Sequence, residues 1–163
     1  MLCFHSLALV AVRGIMLSLS KFLDSNKVFL EFEAQDKTDC LKKIVDIIIS
    51  HSPNYRKDKN LLNRILSRES KASTGAENGF AIPHSSCEFN TKTEMFFFKS
   101  QKGIDFDSID GKKSHFFFLI LYPKNSTLYL QIIVKVCQLS RSQEIYQKFS
   151  SLESSEKLLE LIG

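Results

Sequence analysis

The chain has 163 residues, 44% of them hydrophobic and 25% charged; that is enough for one domain with a real core, and the balance matches an ordinary soluble globular protein. Its 22 basic and 18 acidic residues leave a net charge of +4, too mild to require a nucleic-acid or membrane partner. The four cysteines (Cys3, Cys40, Cys87 and Cys137) are far apart and form no CxxC pair, so no zinc site is expected and a reducing, cytoplasmic compartment is.

Met1 to Val12 is mostly apolar but too short to span a bilayer, which takes about 20 residues. It lacks the basic start and small-residue cleavage site of a signal peptide. Globular patterning begins beyond Met16. Translation is therefore expected to start at Met16, with residues 1–15 an extra segment outside the fold and 16–163 a single domain. Leu17 to Leu23 suits a short helix. Val28 to Phe32 reads as a strand with Val28, Leu30 and Phe32 on one face. Asp36, Thr38 and Asp39 are helix-start residues. After them Leu41, Ile44, Val45 and Ile48 form one amphipathic stripe, which Ser52-Pro53-Asn54 breaks. A second helix is expected from about Lys57 to Glu69, with Leu62, Ile65 and Leu66 inward and Arg64 and Arg68 sharing a face at i, i+4. The small basic cluster Arg56, Lys57 and Lys59 reads as its solvated start. Cys40 and Cys137 fall in apolar helical patterns as buried free thiols.

Near the middle, small and turn-forming residues from Ser73 to Gly79 lead into a short strand, Phe80-Ala81-Ile82. It is expected to stop at Pro83, which cannot donate a ladder hydrogen bond. His84 follows, so an imidazole stands at a strand end beside a loop whose backbone can approach a ligand. The second half starts with a buried strand, Glu94 to Phe98, then Gly103 as a turn before Ile104. Asp110-Gly111 is a further turn signal. His115 to Tyr122 is the longest apolar strand, expected at the sheet centre and closed by Pro123. Thr127 to Ser140 is helical, with Tyr129, Ile132, Ile133 and Val136 on one face and Leu130, Val134 and Cys137 beside them. A stripe that wide predicts packing on two sides. Gln143–Ser150 and Ser155–Ile162 close the chain as short helices. Strands mixed with helices throughout predict one α/β or α+β domain whose helices cover a sheet. His51 and His115 read as ordinary surface histidines.

A neutral imidazole is a good nucleophile near neutral pH, since its unperturbed pKa is about 6.5. If His84 attacks a phosphoryl group, the site must also hold the phosphate oxygens. Backbone N–H groups of a Ser/Thr/Gly turn can do so as a nest, and an arginine fork can hold two oxygens. Ser73-Thr74-Gly75 with Gly79, and Arg68, are the candidates. The plain alternatives are an ordinary loop and a surface arginine at a helix C-terminus.

Arg68-Glu69, then Ser73-Thr74-Gly75, then Gly79-Phe80-Ala81-Ile82-Pro83-His84 resembles the signature of IIA domains of the fructose–mannitol class of the bacterial phosphoenolpyruvate-dependent phosphotransferase system, a group that includes the nitrogen-regulatory IIA proteins. The arginine precedes the histidine by sixteen positions in both. The Gly103–Gly111 region, the strand at 115–122 and the helix after it also fit, so the likeness covers about Leu17 to Ile162. It implies a mixed β-sheet between helical layers. It implies that His84 is phosphorylated by a small histidine-phosphorylated carrier protein, that Arg68 steadies the phosphoryl group, and that Thr74 and its neighbours, Pro83 and Tyr129 among them, line the pocket. No metal and no cofactor are implied. One position departs: many members carry a second histidine where this chain has Tyr129. A phenol donates one hydrogen bond but has no positive charge at neutral pH, so onward transfer is expected to suffer more than acceptance. Three roles follow: a stand-alone regulatory IIA read through its phosphorylation state, a sugar-transport IIA passing phosphate to a IIB component, and a transfer-impaired binding module. The lack of a fused IIB, IIC or membrane segment and the missing second histidine favour the first.

Overall fold

The computed structural model describes residues 17–163; the Met16 start and the extra segment before it lie outside the described residues. Strands β1 (Val28–Phe29), β2 (Phe80–Ala81), β3 (His84–Ser86), β4 (Glu94–Ile104) and β5 (Ser114–Tyr122) form one sheet in the order β1-β4-β5-β2, with β3 also on β5. β4 runs antiparallel to β5, and every other pair is parallel. The sheet is thus mixed, as the resemblance implied.

Helices cover both faces, because β4 and β5 are apolar on both sides. Phe96 and Phe98 of β4, with Phe117, Leu119 and Leu121 of β5, pack with α1 (Lys37–His51) and α2 (Leu61–Lys71). The alternate residues Met95, Phe97, Phe116, Phe118 and Ile120 pack with α3 (Leu128–Ser140), α4 (Gln143–Ser150) and α5 (Ser155–Ile162). Period-two alternation of large side chains on a two-sided strand builds this three-layer sandwich. The phenylalanines meet mostly edge to face within it, for example Phe97 against Phe118 at 5.0 Å between ring centroids and 63° between planes.

Most helix boundaries follow their caps. The Asp36 carboxylate accepts from Asp39 N, Ser142 Oγ from Ile145 N and Ser154 Oγ from Lys157 N, each satisfying an amide that the first turn leaves unpaired. Cys40, Leu41, Ile44, Val45 and Ile48 are buried on α1 as expected.

Besides the strand that carries His84, described below, five elements differ from the sequence reading. The first helix shrinks to a 3₁₀ turn, Leu19–Lys21. β1 ends at Phe29, and a bend at Leu30 and Glu31 carries Phe32 to the opposite face, where it packs on Phe98 and Phe117. Before α2, Pro53–Lys57 forms its own 3₁₀ turn, so the helix begins only at Leu61; Arg56, Lys57 and Lys59 are exposed there. β4, not β5, is the longest strand, because Gly103 makes a bulge within it and not a turn after it. Gly103 has φ +70°, and a Cβ there would lie 2.6 Å from the His115 ring, so glycine admits both the backbone and the packing. Finally, α3 packs on one side only; Leu130 and Val134 are 45% and 44% exposed. Among the described residues no helix is long and apolar enough to cross a membrane.

Candidate functional site

The strand carrying His84 does not stop at Pro83. It breaks there and resumes in register: Ala81 pairs with Phe117 and His84 with Ile120, three residues further along both partners. Pro83 has no N–H to offer, but its carbonyl still accepts from Ile120 N at 3.0 Å. The break is tolerated because β2 and β3 form the sheet edge. His84 therefore opens an edge strand, with α2 on one side and α3 on the other.

The Ser73–Ala76 segment folds back on this strand. Ile82 N donates to Thr74 O and Ala76 N to Phe80 O, and Gly75 bridges Ala81. Gly75 fits because Ser108 Cα lies 2.7 Å from where a Cβ would be. The buried Glu69 carboxylate fixes the turn: it accepts from Thr74 N at 2.9 Å and Thr74 Oγ1 at 2.6 Å, and pairs with Lys37 Nζ at 2.7 Å. Lys37 also donates to Ser73 Oγ. The amide of Gly75 is taken by Ser73 Oγ. The N–H groups of residues 74–76 are thus already bonded inside the protein and form no open nest for phosphate.

Both nitrogens of the His84 ring are hydrogen-bonded, and their partners identify which one carries the proton. Nδ1 lies 2.8 Å from the Ile82 carbonyl, which can only accept, so Nδ1 carries the proton. Nε2 keeps the lone pair and accepts from Arg68 Nε at 3.1 Å. Arg68 is itself held by Nη1 donating to Ala72 O. Burial, and then the Arg68 guanidinium, push the His84 pKa below its usual value against the Ile82 carbonyl and Glu69. The imidazole is hence neutral at neutral pH. The stability drawn from keeping it neutral is full above about pH 6.5 and is lost as pH falls through the lower folded value. An NMR titration of the His84 ring is expected to give a midpoint below that of a free histidine; a midpoint at or above it would contradict the geometry.

Tyr129 does approach His84. The two ring centroids are 5.9 Å apart with a 30° tilt, and Tyr122 stacks on Tyr129 at 3.8 Å and 5°. Burial, then the neighbouring Tyr129, pushes Tyr122 up to about 12, so this phenol stays neutral and can act only through its dipole and hydroxyl.

Two depressions meet at His84. One, of about 220 Å³, is lined by Arg68, Ser73, Thr74, Gly75, Ile133 and Cys137 among others. The second, a polar cleft of about 580 Å³, carries Arg64, Ser67, Arg68, Lys71, Ser86 and Tyr122. The structure therefore brings Arg68, Ser73, Thr74, Gly75, Pro83 and Tyr129 around His84. Gly79 is not among them: at φ +80° it lies beside Tyr146 and His115, where its carbonyl accepts from His115 N and Phe116 N. Glu69, Lys37, Tyr122 and Arg64 went unassigned in the sequence. Two of them left a signal there: Glu69 in the Arg68-Glu69 pair of the motif, and Arg64 in its i, i+4 spacing from Arg68. Among the described residues no group of three His, Cys, Asp or Glu side chains could hold a metal. Burial raises the thiols of Cys40, Cys87 and Cys137, so none is an activated nucleophile.

Residues 21–163 match the model of the phosphoenolpyruvate-dependent sugar phosphotransferase system, EIIA 2. The chain is 24% identical to the fructose-specific EIIABC component of Bacillus subtilis over 90% of its own length, but spans only 23% of that relative. It is 22% identical to the nitrogen regulatory protein of Pseudomonas aeruginosa, covering 90% of this chain and 96% of the relative. The nitrogen regulatory protein IIA-Ntr of Neisseria meningitidis shares its fold at a TM-score of 0.79 and 21% identity, over 89% of this chain and 99% of that one. The chain belongs to the EIIA type 2 family of the phosphoenolpyruvate-dependent sugar phosphotransferase system.

Proposed function

We propose that this protein is a phosphohistidine carrier that accepts a phosphoryl group on His84 Nε2 from a small histidine-phosphorylated carrier protein. The observation that supports it most is the polarity of the ring: Nδ1 is protonated against Ile82 O, and Nε2 presents its lone pair beside a guanidinium. In the transfer, the Nε2–phosphorus bond forms as the donor's nitrogen–phosphorus bond breaks. The electron pair of that bond returns to the donor nitrogen, and the proton stays on Nδ1. The Arg68 Nε–H, displaced from Nε2, is then placed to bond the phosphoryl oxygens. Exchange between two histidines makes and breaks similar bonds, so the protein's part is positioning and charge stabilisation.

Exposed apolar side chains, Ile109 lining the smaller depression and Leu130 and Val134 on α3, suit docking of a protein donor. With Tyr129 in place of a second histidine, the carried group is expected to leave slowly. That favours a regulatory IIA whose phosphorylation state is read by partner proteins. The fructose-specific relative supports the other role, onward transfer to a IIB component. Both share the first step, acceptance at His84. Incubation with phosphoenolpyruvate, the first enzyme of the system and the histidine carrier is expected to give an acid-labile phosphate that is absent in His84→Ala. A label that persists in that variant would remove the proposal.

A further inference from the structure

The polar cleft beside His84 contains a second arginine that the carrier chemistry above does not use. Arg64 lies one helical turn before Arg68 on α2. Its guanidinium is held in place from two sides: Nε donates to Ser86 O at 3.1 Å, and Nη2 pairs with the carboxylate of Asp58. Asp58 is 4% exposed and also accepts from Cys87 Sγ and Asn60 N. Burial alone would raise its pKa, but the Arg64 hydrogen bond, then that of Cys87, hold it below the usual carboxylate range. The carboxylate is therefore ionised and serves as a fixed anchor for Arg64. Among the described residues Arg64 Nη1 and Arg68 Nη2 donate to no protein acceptor.

Two guanidinium groups with unused donors thus line one cleft of about 580 Å³, with Ser67 and Ser86 beside them. Lys71 on the rim adds a positive charge and Glu88 a negative one. Asp58 offsets Arg64 from beneath, so Arg68 and Lys71 against Glu88 leave the cleft net positive. Arginine forks match phosphate oxygens, and a fork already ordered by protein contacts loses less entropy on binding.

We propose that Arg64 and Arg68, through Arg64 Nη1 and Arg68 Nη2, form a two-arginine cradle for a phosphate dianion in this cleft, so that the site read above as the phosphoryl acceptor holds phosphate through two guanidinium groups. Arg64 acts as a binding residue, and Asp58 as the residue that positions it.

The test needs no phosphoryl transfer. Inorganic phosphate is titrated into the full chain while the arginine Nε–H signals are followed by NMR. Arg64→Met alone would leave Asp58 a buried, unpaired carboxylate and risk the fold. The variant is therefore the double Asp58→Asn, Arg64→Met. Saturable shifts of both arginine signals are expected in the wild type, with affinity lowered about tenfold in the double variant. No saturable shift in the wild type, or equal affinity in a folded double variant, would overturn the proposal. In protein phosphorylated on His84, an Arg64 shift without added phosphate assigns the cradle to the carried group, and a shift only with added phosphate assigns it to a free anion. Loss of the His84 label with phosphate binding intact would remove the carrier role and leave the cradle standing.

Discussion

Arg68→Ala is expected to slow phosphorylation of His84 by about a hundredfold or more, with the fold intact. Removing one preorganised donor to developing charge costs roughly 10² to 10³ in rate. Arg68 is the one cation hydrogen-bonded to His84 among the described residues, and Tyr129 supplies no charge, so a loss of that order is expected here. Arg68→Lys should recover only part of the rate: an ammonium keeps the charge but not the fork that reaches both Nε2 and Ala72 O. Arg68 is half-buried and its other bond is to a loop carbonyl, so stability should change by less than about 1 kcal/mol. Initial labelling rates at fixed donor concentration, with thermal unfolding alongside, check this. A rate within threefold of wild type would show that Arg68 only closes α2.

Glu69→Ala should do the opposite, damaging the fold first. Glu69 is 7% exposed and joins three groups: the Thr74 amide, the Thr74 hydroxyl and Lys37 Nζ. Deleting the carboxylate leaves a buried N–H and hydroxyl without acceptors and Lys37 with its Ser73, Asp107 and Phe106-ring contacts. Breaking such a network costs about 3 kcal/mol, or roughly 6 to 12 °C in Tm for a chain of this size. The Ser73–Gly75 turn would loosen with it, since Glu69 is what fixes that turn to α2. Thermal unfolding and amide exchange at Thr74 measure both effects. A Tm within about 2 °C of wild type would mean the network contributes little.

The layers of the fold were legible because β4, β5 and α1 carry strong periodic patterns. Leu41, Ile44, Val45 and Ile48 went inward as their spacing required. The failures came where tertiary contacts override a local signal. Gly103 is a turn residue by composition, but the His115 ring pressed against it makes it a bulge in a longer strand. Pro83 ends a strand by propensity, yet at a sheet edge it only interrupts one. The α3 stripe suggested two buried sides, and one of them faces solvent beside the site.

At the site, His84 and Arg68 were readable from their ordered motif, and the structure joins them directly. The Ser73-Thr74-Gly75 turn was also visible, but not its task. The Thr74 and Gly75 amides, and that of Ala76 after them, bond to Glu69, Ser73 and Phe80, so the turn shapes the pocket wall and these amides form no open nest. Lys37 was out of reach of any sequence pattern, because it meets Glu69 from another helix 32 positions away. Tyr122 ends β5 as its pattern required, but its stacking on Tyr129 joins two separate elements and left no mark in the sequence.

The most direct measurement is heteronuclear NMR on the phosphorylated protein, to find which atom carries the phosphate. The hydrogen bonds to Ile82 O and from Arg68 Nε predict one phosphate per chain, coupled to His84 Nε2, with Nδ1 still protonated. Phosphate on Nδ1, on another residue, or on none while a control IIA domain is labelled beside it, would contradict the carrier mechanism.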